Sequence, residues 1–326
     1  MFVKEPKEII DEIRLLQASR GDIIRSLVDG RLHFYKSTFR SDQEFEQDKL
    51  TWVLRAHSGT LDKLDQLVTN DGPYDTFQLL ASARNLFENL IWIRLFRHNF
   101  EYGHVFYEML ILQQIDSLER NIVQVQAEIE LFEECDQKDQ TITAQLIAEA
   151  ENALSEEAQT AMMRSQQRQR DELDRQVRRS FTLYGAAAKF NGYGYQIHLL
   201  RTKALPKLEQ TLAECQRAHS AFQQFKASSL NRQLTNAASH WNWRDRARDV
   251  GMLHQYDFLY RYTSRLLHST PMNLITEKSL SESERLLMLD YLFVTVSDIY
   301  DEIEEFEAPG VVDVFLVRTD AGQSEE

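Results

Sequence analysis

The chain has 326 residues, 43% of them hydrophobic and 27% charged, with only 11 glycines and 5 prolines. That is too long for one small domain and too poor in turn residues for a β-sandwich or barrel, which leaves helix as the default. A formal net charge of −14 argues against a general nucleic-acid coat or a lipid-binding surface, both of which need a basic field, but it leaves room for a local basic pocket.

In chain order, Pro6 to about Asp29 carries Ile9, Ile10, Ile13, Leu16 and Ala18 at helical period, and Asp29-Gly30 is expected to end that helix. A second helix is predicted over roughly Ser41 to Val68, stopped by Asn70-Asp71-Gly72-Pro73. Asp75 then caps a helix from Thr76 to Arg97. The apolar run Phe77 to Phe96 is long enough to span a bilayer. It carries Arg84, Asn85, Glu88, Asn89 and Arg94, however, and therefore reads as a buried helix of a core.

From Tyr107 to Arg179 glycine and proline are absent and Gln, Glu, Arg and Ala dominate. This predicts a long antiparallel helical hairpin turning near Asp136 to Gln140. Its charge is lopsided. Residues 116–157 hold 12 acidic against 2 basic side chains, and 158–180 hold 6 basic against 3 acidic. Two solvated, mutually attracting helix faces explain that pattern, and a partner-binding arm is the alternative. The cluster of Gly185 and Asn191-Gly192-Tyr193-Gly194 lacks the spacing of a phosphate loop and reads as a hinge. A further helix, broken at Pro206, is expected from Tyr195 to Phe225. Ser281-Glu282-Ser283-Glu284 is a capping-box pattern opening a helix through Glu307, and Val311 to Val317 is either an edge strand or docked coil.

The expected fold is thus an all-α helical bundle. Residues 1–106 and 181–308 form the bundle, 107–180 a protruding antiparallel helical hairpin, and 309–326 a tail. Cys135 and Cys215 have no ligand or CxxC spacing and read as free thiols of a reducing compartment. With no signal-peptide pattern and no membrane span, the expectation is a cytoplasmic protein that does not bind membranes.

The polar residues with chemical potential lie in three places. Arg84 and Glu88 stand one turn apart on the apolar helix, either as an internal ion pair or as an anion-binding arginine oriented by a carboxylate. Between Tyr256 and His268, the residues Tyr256, Tyr260, Ser264 and His268 follow at steps of four, and Arg261 and His268 are seven apart. That stripe is either a site or a buried hydrogen-bond ladder. A Ser264–His268 nucleophile–base pair is the weaker chemical reading, because no strained elbow or oxyanion hole accompanies it. An arginine that holds phosphate beside a histidine that moves a proton is what metal-free RNA cleavage needs. The third place is Trp241 and Trp243 with Arg244, Arg246 and Arg248, where rings and guanidinium groups either clamp a nucleotide or anchor a loop to the core. No histidine or cysteine has metal-ligand spacing, so neither a metal nor another cofactor is expected.

On these residues the chain resembles an uncharacterised family of helical bacterial proteins. In that family an Arg-x-x-x-Glu helix, a Trp-containing segment and a Tyr-x-x-x-Ser-x-x-x-His helix recur; here these are Arg84…Glu88, Trp241 or Trp243, and Tyr260…Ser264…His268. More loosely, the Arg-x6-His element is similar to that of the HEPN superfamily. This resemblance implies a metal-independent ribonuclease or nucleotide-binding protein of bacterial stress, toxin–antitoxin or phage-defence systems, with its site at a homodimer interface. Arg261 and His268 would be catalytic, with Arg84, Glu88, Tyr260, Ser264 and Trp243 supporting them. The alternative is a non-catalytic interaction or scaffold protein whose 107–180 hairpin binds a protein partner.

Overall fold

The helix over Thr76–His98 buries Leu79, Leu80, Ala83, Leu86, Phe87, Leu90, Ile91, Ile93, Leu95 and Phe96, a broad apolar face that widens around the axis in its last turns. Each such side chain contributes about 1.5–3 kcal/mol when removed from water, so the helix is stable only if other helices surround it. The computed structural model, which describes residues 5–69, 75–150, 155–229, 234, 236–267 and 280–310, supplies those neighbours, and every regular element among the described residues is helical. No described helix is long and apolar enough to cross a membrane. In chain order the helices are α1 (Pro6–Ser37), α2 (Asp42–Gln47), α3 (Lys49–Thr69), α4 (Thr76–His98), α5 (Tyr102–Ala150), α6 (Glu156–Arg179), α7 (Gly185–Asn191), α8 (Tyr193–Leu199), α9 (Leu205–Ser229), α10 (Trp243–Asp249), α11 (Leu253–Leu267) and α12 (Glu282–Glu304).

The chain divides into two units, one formed by residues 1–109 and 226–326, the other by 110–225. In the first, α4 packs against α12, α3, α11 and α10, while α1 packs against α3 and α12. Asp75 and Ser281 cap α4 and α12 as their sequences predict, the latter with a full capping box. In the second unit, Val125, Ile129, Phe132 and Cys135 of α5 form a core with Val177, Ala188, Ile197 and Leu200. There α5 and α6 pair antiparallel, Arg170 of α6 reaching Asp139 at 2.9 Å and Thr143 at 3.0 Å.

Several boundaries differ from those predicted. α1 runs through Asp29-Gly30 to Ser37, because the following turn is anchored: Arg31 is buried and its Nη1 donates to the Ile303 carbonyl at 2.9 Å. That anchor outweighs a glycine penalty of about 1 kcal/mol. The predicted second helix is two, since Asp48 adopts an extended conformation between α2 and α3. Its carboxylate takes the Leu50 N–H at 2.8 Å and the Tyr35 hydroxyl at 2.7 Å. Asp136 to Gln140 is not a turn but part of α5, whose inward face continues from Phe132 and Cys135 to Ile142. The break before Pro206 is a single π turn, Leu200–Ala204, in which the Leu205 N–H donates to the Leu200 carbonyl just ahead of the residue that has no N–H to give. The Val311 to Val317 run lies outside the described residues.

A buried ion pair and a buried histidine stand out in the first unit. Glu108 and Lys226, 5% and 6% exposed, meet where the chain leaves this unit and returns to it, with Nζ 2.8 and 2.7 Å from the carboxylate oxygens. His57 of α3 is fully buried between the rings of Phe96 and Phe306. Burial, reinforced by Arg31, lowers its pKa to about 3.

Losing one partner of a buried pair is worse than losing both. Lys226→Met is therefore expected to cost about 3–5 kcal/mol, with Glu108→Leu/Lys226→Met recovering most of it, as read by urea unfolding. His57 binds its proton in the unfolded chain below about pH 6.5 but not in the folded one, so stability falls with pH from there towards pH 3 by up to about 1.4 kcal/mol per pH unit. His57→Leu should flatten that part of the profile, measured by urea unfolding at pH 7, 5.5 and 4.

Candidate functional site

The polar positions of α4 meet a chosen face of α11. Arg84 Nε donates to Glu88 Oε1 at 3.1 Å, one turn further along α4. The guanidinium carbon then lies 4.6 Å from the ring centroid of Tyr260. Tyr260 stacks on Tyr256, centroids 5.2 Å apart, and Tyr256 in turn faces Phe87 of α4 at 6.4 Å. Burial, followed by the neighbouring Tyr260 and the Glu88 carboxylate, raises the Tyr256 phenol above its ordinary pKa. The side chains at 256 and 260 therefore both look towards Arg84 and Glu88, as their spacing of four requires.

Arg84 is held but not consumed. Glu88 occupies Nε and Tyr260 covers the face, while the two terminal nitrogens make no hydrogen bond or ion pair among the described residues. A planar fork fixed at its stem and open at its tip is the geometry that binds phosphate or carboxylate through parallel hydrogen bonds. One turn beyond Tyr260, Ser264 has a buried Oγ with no hydrogen-bond partner among the described residues. His268 lies outside the described residues.

Arg261 belongs to another side of α11. It is exposed and borders a shallow depression with His254, Asp257, Phe258 and Tyr262. It makes no ion pair among the described residues, although its charge helps to lower the Asp257 pKa, after the larger contribution of Arg244. The stripe thus splits: Tyr256, Tyr260 and Ser264 follow one face of α11, and Arg261 faces away from it. Tyr262 marks the flank towards α12, where burial and Glu284 push its phenol up to about 12.

The tryptophan segment docks on the core. Trp241 stacks on Trp92 of α4 at 4.2 Å, and Trp243 meets both rings edge-on, at 6.3 Å from Trp92 and 5.4 Å from Trp241. The nearby arginines are engaged: Arg244 with Asp257 at 2.9 Å, Arg246 with Asp249 at 2.9 Å and the Tyr102 hydroxyl at 2.6 Å, and Arg248 with Asp245 at 2.8 Å. Trp243, at the start of α10, thus packs against the stacked pair of Trp92 and Trp241 rather than against Arg84 or Tyr260. Among the described residues no group of His, Cys, Asp and Glu is arranged to hold a metal ion.

No family model, curated protein or solved structure matches the chain.

If Tyr260 holds the Arg84 guanidinium through its ring face, a double-mutant cycle of Arg84→Ala and Tyr260→Ala should give a coupling energy of about 0.5–1 kcal/mol. Replacing Tyr260 by Phe should leave the coupling nearly intact, because the ring and not the hydroxyl makes the contact. Additive single mutants in urea unfolding would count against it.

Proposed function

We propose that this chain binds a phosphate-bearing ligand, RNA or a nucleotide, at the seam between α4 and α11, and that it is a metal-independent, HEPN-like ribonuclease. The observation that supports this reading is the Arg84 guanidinium, fixed by Glu88 and Tyr260 with its terminal nitrogens open. Ser264 Oγ, buried and unpartnered among the described residues, adds a hydrogen-bonding group on the same face of α11. His268 follows Ser264 by four residues in the sequence.

In this mechanism Arg84 holds the scissile phosphate and stabilises the charge that develops on its oxygens. His268 takes the proton of the ribose 2′-hydroxyl. The 2′-oxygen then bonds to phosphorus as the bond to the 5′-oxygen breaks, leaving a 2′,3′-cyclic phosphate and a 5′-hydroxyl that takes a proton from water. Arg261, exposed and without an ion pair among the described residues, binds a neighbouring phosphate of the same strand or of a strand held at a homodimer interface. The biological setting proposed for such an activity is bacterial stress or phage defence.

A second reading, a non-catalytic interaction protein, is favoured by a groove of about 700 Å³ between α5 and α6, lined by polar residues including Gln137, Thr141, Gln145 and Gln169. A helical protein partner would lie along it. Capture of one specific protein, abolished by Gln145→Trp/Gln169→Trp, would favour this reading.

The nuclease reading is tested by an RNA-cleavage assay in EDTA with melting curves on the same samples. Wild type is expected to cleave. Arg84→Ala and His268→Ala should lower the rate at least about a hundredfold, with near-wild-type melting temperatures. Arg261→Ala should weaken substrate binding more than turnover. Absence of cleavage by wild type, with Arg84→Ala and His268→Ala strongly destabilised, would make the cluster a packing device.

A further inference from the structure

Around the connection from α6 to α7, the 110–225 unit exposes side chains that hydrophobic burial alone would place inside. Phe181 is 85% exposed, Leu183 54% and Phe190 91%, and Tyr195 is exposed as well. Phe181 has a φ of 49°, a left-handed conformation that a phenylalanine seldom adopts. The loop is nevertheless pinned from α5. Gln124 Nε2 donates to the Phe181 carbonyl at 3.1 Å, and the buried Glu128 carboxylate accepts the backbone N–H groups of Leu183 at 2.5 Å and Tyr184 at 2.9 Å. A buried carboxylate thus fixes the backbone of a loop whose apolar side chains face water.

Cations stand beside these rings. Arg178, Phe181, Ala186 and Lys189 border one depression, whose wall also carries Val177 and Asp174. Ala186, Lys189 and Phe190 follow at i, i+3 and i+4 on α7, so Phe190 shares the face that borders it. Lys189 pairs with Asp174, whereas the exposed Arg178 makes no ion pair among the described residues. Residues 158–225 hold 11 Lys and Arg against 5 Asp and Glu, a local +6 in a chain of net charge −14.

We infer that this aromatic and basic face is a docking site for single-stranded RNA, with bases stacked on Phe181 and Phe190 and phosphates taken by Arg178 and Lys189. The inference rests on the reading above that RNA is the ligand. Charge complementarity selects an anionic partner. The side-chain chemistry selects the nucleic acid among anionic partners: the exposed groups are mainly rings, which bases require for stacking, whereas insertion into lipid is served equally by aliphatic groups.

The test is fluorescence anisotropy of a labelled single-stranded oligouridine with the full chain, alongside the cleavage assay. Phe181→Ser/Phe190→Ser should weaken binding about tenfold or more, and Arg178→Glu should weaken it and flatten its salt dependence. Both variants should melt as wild type does, since these side chains are exposed. Oligouridine binding by wild type that neither variant changes overturns the inference and leaves the α4–α11 reading standing. Binding that follows the patch in a protein unable to cleave RNA upholds the inference and removes the nuclease. No oligouridine binding by wild type overturns the inference. Phosphatidylserine vesicles that then bind wild type but not Phe181→Ser/Phe190→Ser would assign the face to lipid instead.

Discussion

The first unit depends on one constraint: α4 buries ten apolar side chains and has to be packed against α3, α10, α11 and α12. Enclosure forces each polar residue on it to find a partner on a neighbouring helix or at a gap between neighbours, because a lone buried charge costs several kcal/mol, about 3–5 in measured cases. Arg94 solves this with two carboxylates of α12, Asp298 and Glu302, each at 2.9 Å. Arg84 solves it differently, with one carboxylate of its own helix and one aromatic face of α11. The first arrangement satisfies the guanidinium and fixes helix packing. The second leaves the two terminal nitrogens without a hydrogen bond or ion pair among the described residues. The same physical requirement thus yields a structural arginine at one position and a ligand-ready one ten residues earlier.

The helix α11 is the counterpart of that enclosure. It offers the half-buried Tyr256 and the exposed Tyr260 to the arginine and buries Leu259, Thr263 and Ser264 Oγ, whereas Phe258 and Arg261 remain outside. In the proposed reading, the exposed Arg261 and the buried Ser264 hydroxyl would offer two kinds of phosphate contact on one short helix, one oriented by packing and one free to follow a strand. The 110–225 unit adds an independent asymmetry. Its acidic α5 is tied to basic partners through Asp139–Arg170 and Glu133–Arg201, while cations around the α6–α7 connection border exposed rings.

Much of the fold was legible because it is written in periodicity and caps. The apolar pattern of 76–97, the Asp75 cap and the Ser281 capping box each give a local signal that the structure realises. What was not legible depends on contacts distant in sequence. Nothing near Gly30 announces that Arg31 will cap the end of α12, and so nothing predicts that α1 continues. Similarly, the composition around Asp136 reads as a turn until Cys135 and Ile142 are seen to share a buried face. The site was legible in part. Spacing alone placed Arg84 with Glu88, and Tyr260 with Ser264, but the contact of Arg84 with the Tyr260 ring across α4 and α11 is tertiary. Spacing also grouped Arg261 with the stripe through its step of seven to His268, although the step from Tyr260 to Arg261 turns it about 100° away.

The most direct measurement is a calorimetric titration with uridine 3′-monophosphate of wild type, Arg84→Lys and Arg261→Lys at low salt in EDTA. Lysine keeps the charge but not the fork, so it separates oriented binding from general attraction. Saturable binding by wild type, lost in Arg84→Lys and retained in Arg261→Lys at unchanged melting temperature, is the predicted result. Equal binding by all three, or none by wild type, would contradict a phosphate site built on Arg84.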